Sequence, residues 1–229
     1  MKMLKAFKFR LKTNSTTSVK LASTAGSNRF VWNKALALQK ERLEKKEYTL
    51  SYYKIAPLLL EWKKEFEFLS DCPSQSLQQT LMAQDRALKD AFNKKSPKKF
   101  PQFKKKGRHD SFRYPQGVKV NGNRVFLPKV GLVPFFKSRD IVGIIKNATV
   151  SKKGEHWFVS IQTEIDIEKP VHTSKSAIGV DLGVKKFATL SDGRVYEAKN
   201  SFRQRQGRLA KLQQRLAKKK KGSSNFALS

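Results

Sequence analysis

The sequence predicts an α+β chain. A small β-barrel is interrupted after its first strand by a helical insertion, and a β-β-β-α unit follows. Three observations predict this. Residues 3–11 alternate apolar and basic side chains, whereas apolar residues from Val19 to Phe92 recur at helical spacing. From Ser111 to Ile167 the pattern returns to short alternating segments broken by turn signals. Beyond residue 176, three short strands precede an amphipathic helix. The 229 residues hold 49 Lys+Arg against 18 Asp+Glu, a net charge of +31, together with 16 Phe. Such a chain is basic but able to fold, unlike a disordered basic tail. Its charge sets aside the ordinary acidic metabolic enzyme and points to a polyanion, nucleic acid foremost.

In the first strand, Leu4, Phe7 and Phe9 lie among Lys5, Lys8 and Arg10. Asn14 to Thr17 can cap a helix carrying Leu21, Ala22, Ala25, Phe30, Trp32, Leu36 and Leu38. Tyr48 to Tyr53 reads as a break. A second helix carries Leu58 to Leu60, Trp62, Phe66 and Leu69, and Pro73-Ser74 opens a third with Leu77, Leu81, Leu88 and Phe92 on one side. Trp32 and Trp62 read as core. Residues 94–108 then hold Lys94, Lys95, Lys98, Lys99, Lys104, Lys105, Lys106 and Arg108 with no acid, and Pro97, Pro101 and Gly107 forbid a regular helix there. Phe100 and Phe103 interleave with these lysines, a pattern suited to gripping and stacking on nucleic acid.

Candidate strands follow at 111–114, 118–120, 124–127, 141–150 and 156–165. Asn121-Gly122 and Lys153-Gly154 are hairpin signals. These strands need a partner for Phe7 and Phe9, so residues 3–11 should complete their barrel. Residues 168–176 read as a polar linker. Ala177 to Asp181 is then expected as a buried strand ending in a carboxylate, with strands at 186–190 and 194–198 around the Ser191-Asp192-Gly193 turn. In the final helix, 202–221, Phe202, Leu209, Leu212 and Leu216 make one stripe. Its other face carries Arg203, Arg205, Arg208, Lys211, Arg215 and Lys218 to Lys221, with no acid.

Cys72 is the single cysteine, which excludes an intramolecular disulfide and a zinc site built on several Cys ligands. It points to a reducing compartment. No apolar run approaches 18 residues, so no membrane partner is expected. His109, His156 and His172 are scattered and are assigned no role. Asp181 is the informative carboxylate. It follows an apolar strand and precedes Gly183, a position where oxygen ligands suit Mg²⁺, although an Asp that merely caps a turn fits the same spacing.

The order strand, tight turn, strand, Ser-Asp-Gly turn, strand, helix matches the opening of an RNase H-like fold. Residues 178–193, IGVDLGVKKFATLSDG, resemble the first RuvC motif of TnpB (OrfB-family) proteins. These are transposon-encoded, RNA-guided DNA endonucleases, also known as accessory transposases. The resemblance extends to Asn28 to Asn33, Ser74 to Gln79, Ala87 to Phe92, the Phe100 to Lys106 stretch, Ser111 to Tyr114 including Arg113, and the 156–162 strand. It implies a wedge-like barrel of residues 1–13 and 110–170. A helical recognition lobe, 14–109, carries the basic loop 94–108, and 175–229 is a partial RuvC domain. It implies guide RNA and target DNA as partners, with the protein gripping backbone while base pairing chooses sequence. The nucleic-acid contacts would be the eight cations of the loop, Arg113, and Arg203, Arg208, Lys211 and Arg215. A cytoplasmic, nucleoid-associated place in a prokaryote is implied as well.

Asp181 would be the first carboxylate of a two-metal Mg²⁺ site. The family's other carboxylates and its four-Cys zinc element lie beyond the last helix, and the sequence ending at Ser229 holds neither. Residues Phe226 to Ser229 also replace a basic continuation. The expectation is a nuclease-type chain that does not cut alone. The alternative is a catalytically dead RNA/DNA-binding protein or repressor of the same descent. An unrelated basic RNA-binding protein would leave the six matching segments unexplained, and an actin-like ATPase would need a second phosphate loop that is absent from the sequence.

Overall fold

The computed structural model describes residues 1–168 and 176–219. The expected linker falls largely on 169–175, and Lys220, Lys221, His172 and the C-terminal residues also lie outside the described part. The chain forms two compact units, Met1–Lys169 and Pro170–Ser229.

In the first unit, β1 (Lys2–Arg10) leads into α1 (Ser15–Glu44). Asn14 stands extended at the junction, and its Oδ1 accepts the Thr17 N–H at 2.8 Å. That satisfies one of the helix's unpaired first-turn donors. A broken helical stretch follows: α2 (Tyr52–Ile55), α3 (Leu58–Glu65) and a 3₁₀ turn (Glu67–Leu69). The expected break at 48–53 therefore ends a residue or two early, because Tyr52 already begins a turn of helix. Next comes α4 (Ser74–Phe92).

The strands are β2 (Ser111–Tyr114), β3 (Lys119–Asn121), β4 (Arg124–Leu127), β5 (Gly131–Pro134), β6 (Ile144–Lys153) and β7 (His156–Asp166). β1 pairs antiparallel with β7 along its length, from Lys2↔Asp166 to Arg10↔Phe158. The four-stranded order is β1-β7-β6-β2, and β3-β4-β5 form a second sheet, joined to the first by the Leu11↔Phe135 bridge. Their shared core holds Phe7, Phe9, Phe112, Tyr114, Phe135 and Trp157, all buried, and the start of α1 adds Leu21 and Ala25. Further along α1, Val31 and Ala35 belong to a second core with Ile55, Leu59, Trp62, Leu77 and Leu81. One 30-residue helix thus seals the sheets with its first turns and nucleates the helical core with its middle.

Both hairpins turn one residue later than expected. Asn121 pairs with Arg124 and Lys153 with His156, so the turns are Gly122-Asn123 and Gly154-Glu155. Glycine takes the first central position of each, at φ +55° and +57°, the geometry that suits right-twisted strands. At Gly143 (φ +89°) a Cβ would stand 2.3 Å from Ile165 Cγ2 and 2.4 Å from the Glu164 carbonyl oxygen, so only glycine fits beside β7. The strand expected at 141–150 accordingly starts after that glycine, at Ile144.

The second unit holds β8 (Val180–Leu182), β9 (Lys186–Leu190) and β10 (Val195–Glu197) in the antiparallel order β10-β9-β8, then α5 (Ser201–Ala217). The expected buried strand 177–181 is corrected here. β8 is three residues long and exposed, with Val180 at 55% accessible, and Ile178 ahead of it stands at 47%. Local apolar character made a strand, but burial needs a layer packed over it. No helix among the described residues is long and apolar enough to cross a membrane.

Candidate nucleic-acid interface and the Asp181 strand

The basic loop 94–108 has no regular structure, yet α1 bolts it down. The Trp32 Nε1–H donates to the Gln102 carbonyl at 3.0 Å. Asn33 clasps Lys104 from both sides: its Oδ1 accepts the Lys104 N–H at 2.8 Å and its Nδ2 donates to the Lys104 carbonyl at 3.0 Å. Asp110 closes the loop by accepting from Arg29 Nη1 and from the Gly107 N–H, each at 3.2 Å. At the other end Phe100 packs edge-on against Phe92, and Lys98 reaches Asp90 at 2.6 Å. Arg29, Trp32 and Asn33 belong to the segment that carries the family resemblance. They attach the loop to the helical core.

This attachment sorts the eight loop cations. Lys98 is paired with Asp90. Lys104 still reaches solvent, but its ammonium lies 4.0 Å from the Trp32 ring centroid, and burial lowers its pKa. Lys94, Lys95, Lys99, Lys105, Lys106 and Arg108 are exposed. Phe103 is 46% accessible, with the Lys40 ammonium 4.5 Å from its ring.

Lys104 also lines an open cleft of about 480 Å³ between α4 and the β2 edge, with Gln79 and Arg86 from α4 and Ser111, Arg113 and Thr149 from the sheet. The cleft brings together two predicted contacts, Lys104 and Arg113, and adds one that sequence reading missed, Arg86. No carboxylate lines it. The signal is present in the spacing: Gln79, Ala83 and Arg86 recur at intervals of 4 and 3, one stripe on the polar side of α4.

The two long helices are held in register by buried polar groups. Asn28 Nδ2 donates to the Thr24 carbonyl at 2.8 Å, while its Oδ1 accepts from Ser76 Oγ at 3.2 Å and Thr80 Oγ1 at 2.7 Å. Gln84 Nε2 donates to the Trp32 carbonyl at 2.7 Å. Asn28 Nδ2 also lies 3.5 Å from Cys72 Sγ. Burial pushes the Cys72 thiol up to about 12, so it stays protonated and has no nucleophilic character.

In the second unit Asp181 sits in the middle of β8, opposite Thr189, and is exposed. Gly179 and Ser191 lock the start of the strand: the Gly179 N–H donates to Ser191 Oγ at 2.9 Å, and the Ser191 N–H to the Gly179 carbonyl at 2.8 Å. Asp192 is engaged in its own turn, where Arg194 bonds it through Nε at 2.7 Å and lowers its pKa. Among the described residues no three His, Cys, Asp or Glu side chains gather as a metal site. The described residues therefore do not by themselves fit a two-metal centre. Arg203, Arg208, Lys211 and Arg215 are exposed on α5, as are Arg205, Lys218 and Lys219 beside them.

The chain matches two models of the OrfB family. Residues 1–47 match one described as a helix-turn-helix domain, and residues 160–228 one described as a probable transposase. Over 1–47 the structure has β1 and the single helix α1, so that description does not fit the fold seen here. The chain is 47% identical over 230 residues, 99% of its length, to an Escherichia coli (strain K12) protein named "Putative RNA-guided DNA endonuclease InsQ". It is 31% identical over 229 residues, 96% of its length, to a Streptomyces pristinaespiralis protein named "Putative RNA-guided DNA endonuclease". It spans 57% and 56% of those two relatives.

Proposed function

We propose that this chain, which matches two OrfB-family models and resembles two proteins named putative RNA-guided DNA endonucleases, is a TnpB-type transposon protein and acts as the nucleic-acid-gripping part of an RNA-guided DNA endonuclease, with guide RNA and target DNA as its partners. The observation that carries this is the cleft of Lys104, Arg86 and Arg113, set beside a basic loop that α1 anchors through Trp32 and Asn33. An anchored cationic surface places its charges against phosphates without first ordering a chain. In this reading residues 1–13 and 110–170 are the wedge-like barrel, 14–109 the recognition lobe, and 175–229 the opening of a RuvC domain.

Neutralising phosphates releases counterions, so affinity for RNA or DNA should fall steeply with salt. The test replaces Lys104, Lys105 and Lys106 with Ala. For every lysine that neutralises a phosphate, its replacement should reduce the slope of log affinity against log salt by about 1. An unchanged slope and affinity would show that the loop faces away from nucleic acid.

One observation favours a second reading for the isolated chain, a binding protein or repressor without cleavage: Asp181 stands exposed on β8, and among the described residues no cluster of carboxylates surrounds it. Mg²⁺ held by one carboxylate keeps most of its waters and binds weakly. Residues 1–229 with guide, target and Mg²⁺ should therefore leave DNA intact. Joined to the remaining length that its relatives possess, the chain should cut, and Asp181→Ala should abolish cutting. Cleavage by residues 1–229 that Asp181→Ala removes would overturn the second reading.

A further inference from the structure

We infer that the outward face of the four-stranded sheet is a platform for single-stranded nucleic acid, with Phe158 as its stacking residue. The inference rests on the proposed nucleic-acid function and concerns a surface outside the basic loop and the C-terminal helix; its β2 end, with Ser111, Arg113 and the neighbouring Thr149, is shared with the Lys104 cleft. It follows from strand register. Lys8, Ser160, Thr149 and Arg113 stand opposite one another in one row across β1, β7, β6 and β2. All four face away from the core, because the alternate residues Phe7, Phe9, Val159, Ile161, Ala148, Val150 and Phe112 fill it. With strands about 4.8 Å apart, the row runs about 14 Å from one cation to the other. The next row is Arg10, Phe158, Ser151 and Ser111.

The composition of these rows selects the ligand. A cation stands at an outer end of each, short hydroxyls lie between, and one half-buried aromatic ring, Phe158, stands among them. Neither row holds a carboxylate. The acidic residues of this face, Glu164 and Asp166, lie at the far end of the strands, and Glu164 is engaged by Lys2 at 3.4 Å and Lys146 at 3.2 Å. Beside Arg10 a second ring, Phe136, is 43% accessible, with the Arg10 guanidinium 4.3 Å and the Lys12 ammonium 4.5 Å from its centroid.

Aromatic rings interleaved with cations over a sheet form the arrangement on which unpaired bases stack while phosphates meet the charges. Bases of a duplex already have both faces stacked, so an isolated ring on a sheet offers them nothing. In the free protein the Lys8 ammonium covers Phe158 at 5.1 Å. An exposed cation–π contact is weaker than base–aromatic stacking, so a base displaces Lys8, which then turns to the phosphate.

The test uses the whole chain, with fluorescent oligouridine, oligothymidine and a blunt DNA duplex as probes. Phe158→Leu should weaken binding of one or both single strands about tenfold while duplex binding and the far-ultraviolet spectrum hold. Which strand loses more tells whether RNA or DNA is the occupant. Ser160→Glu, which places a negative charge mid-row without touching the core, should have the same selective effect. Ultraviolet cross-linking of 5-iodouridine RNA to the unaltered protein should mark Phe158, which keeps the test independent of either variant's folding. Unchanged single-strand affinity in both variants without a cross-link at Phe158 would overturn the platform. If the Lys104, Lys105 and Lys106 replacements still weakened binding in that case, the proposed function would stand. No binding of any probe by the unaltered chain would overturn both.

Discussion

The two units use similar local ingredients with opposite results. In Met1–Lys169, the apolar faces of strands and helices close over Trp157, Phe135, Leu36 and Leu77, each 1% accessible or less. In the second unit, Ala188 is the one buried residue among those described, while Leu182 (70%), Val184 (91%) and Phe202 (70%) face out. The α5 stripe is as regular as any in the chain, yet Leu209, Leu212 and Leu216 are all exposed. Amphipathic pattern makes an element; a core requires a second layer facing it.

The sharpest way to break this comparison is to delete a large apolar group in each unit. Trp157→Ala should cost about 4 kcal/mol, because it removes a buried ring that packs against Phe112 and donates to Ser18 of α1, and leaves a cavity in the core. Leu212→Ser in α5 should change stability by less than about 0.5 kcal/mol. Urea unfolding of both variants checks this, and a cost near that of Trp157→Ala for Leu212→Ser would mean that α5 is covered in solution.

A smaller effect tests whether polar groups share in the first unit's order. Asn28→Ala removes the acceptor of two buried hydroxyls, Ser76 and Thr80, and should cost about 2 kcal/mol. Asn28→Asp keeps an acceptor there but loses the donor to the Thr24 carbonyl, so the two variants together apportion the network.

A pH test probes the same unit. The Cys72 thiol rises from an ordinary 9.0 to about 12 because burial opposes the thiolate, and burial pushes Tyr114 upward as well. Both groups hold their protons more tightly when folded. Below pH 9 this costs nothing, and above it the unfolded chain ionises first. Stability of the first unit should therefore fall from about pH 9 towards 12, and Cys72→Ala should blunt part of that fall in urea midpoints measured across the range. Native Cys72 should also resist iodoacetamide at pH 8 until the unit unfolds. Prompt alkylation without unfolding would show that the Cys72 pocket opens on its own.

Much of this is legible in local sequence, and the exceptions share a cause. Asn14 reads as a cap and caps, and the lone strand at the N-terminus pairs with the strand at 156–166, as the need to cover Phe7 and Phe9 demands. β5 escapes a sequence reading because Gly131 and Pro134 leave only Leu132 and Val133 as its signal; its register with β4 makes it a strand. Trp32 reads as core and is buried, but its indole N–H also holds the basic loop, 70 residues away in sequence.

The sequence by itself determined most of the elements, the charge and the family resemblance, because caps, periodicity and motif order are short-range and survive as patterns. Only the tertiary structure decided which cations share a surface. Arg113 meets Lys104 and Arg86 in one cleft and stands in a row with Lys8 because strand register and helix packing bring distant segments side by side. Burial belongs to the same class: the apolar run before Asp181 has the composition of a buried strand, and whether it is covered depends on what lies across from it.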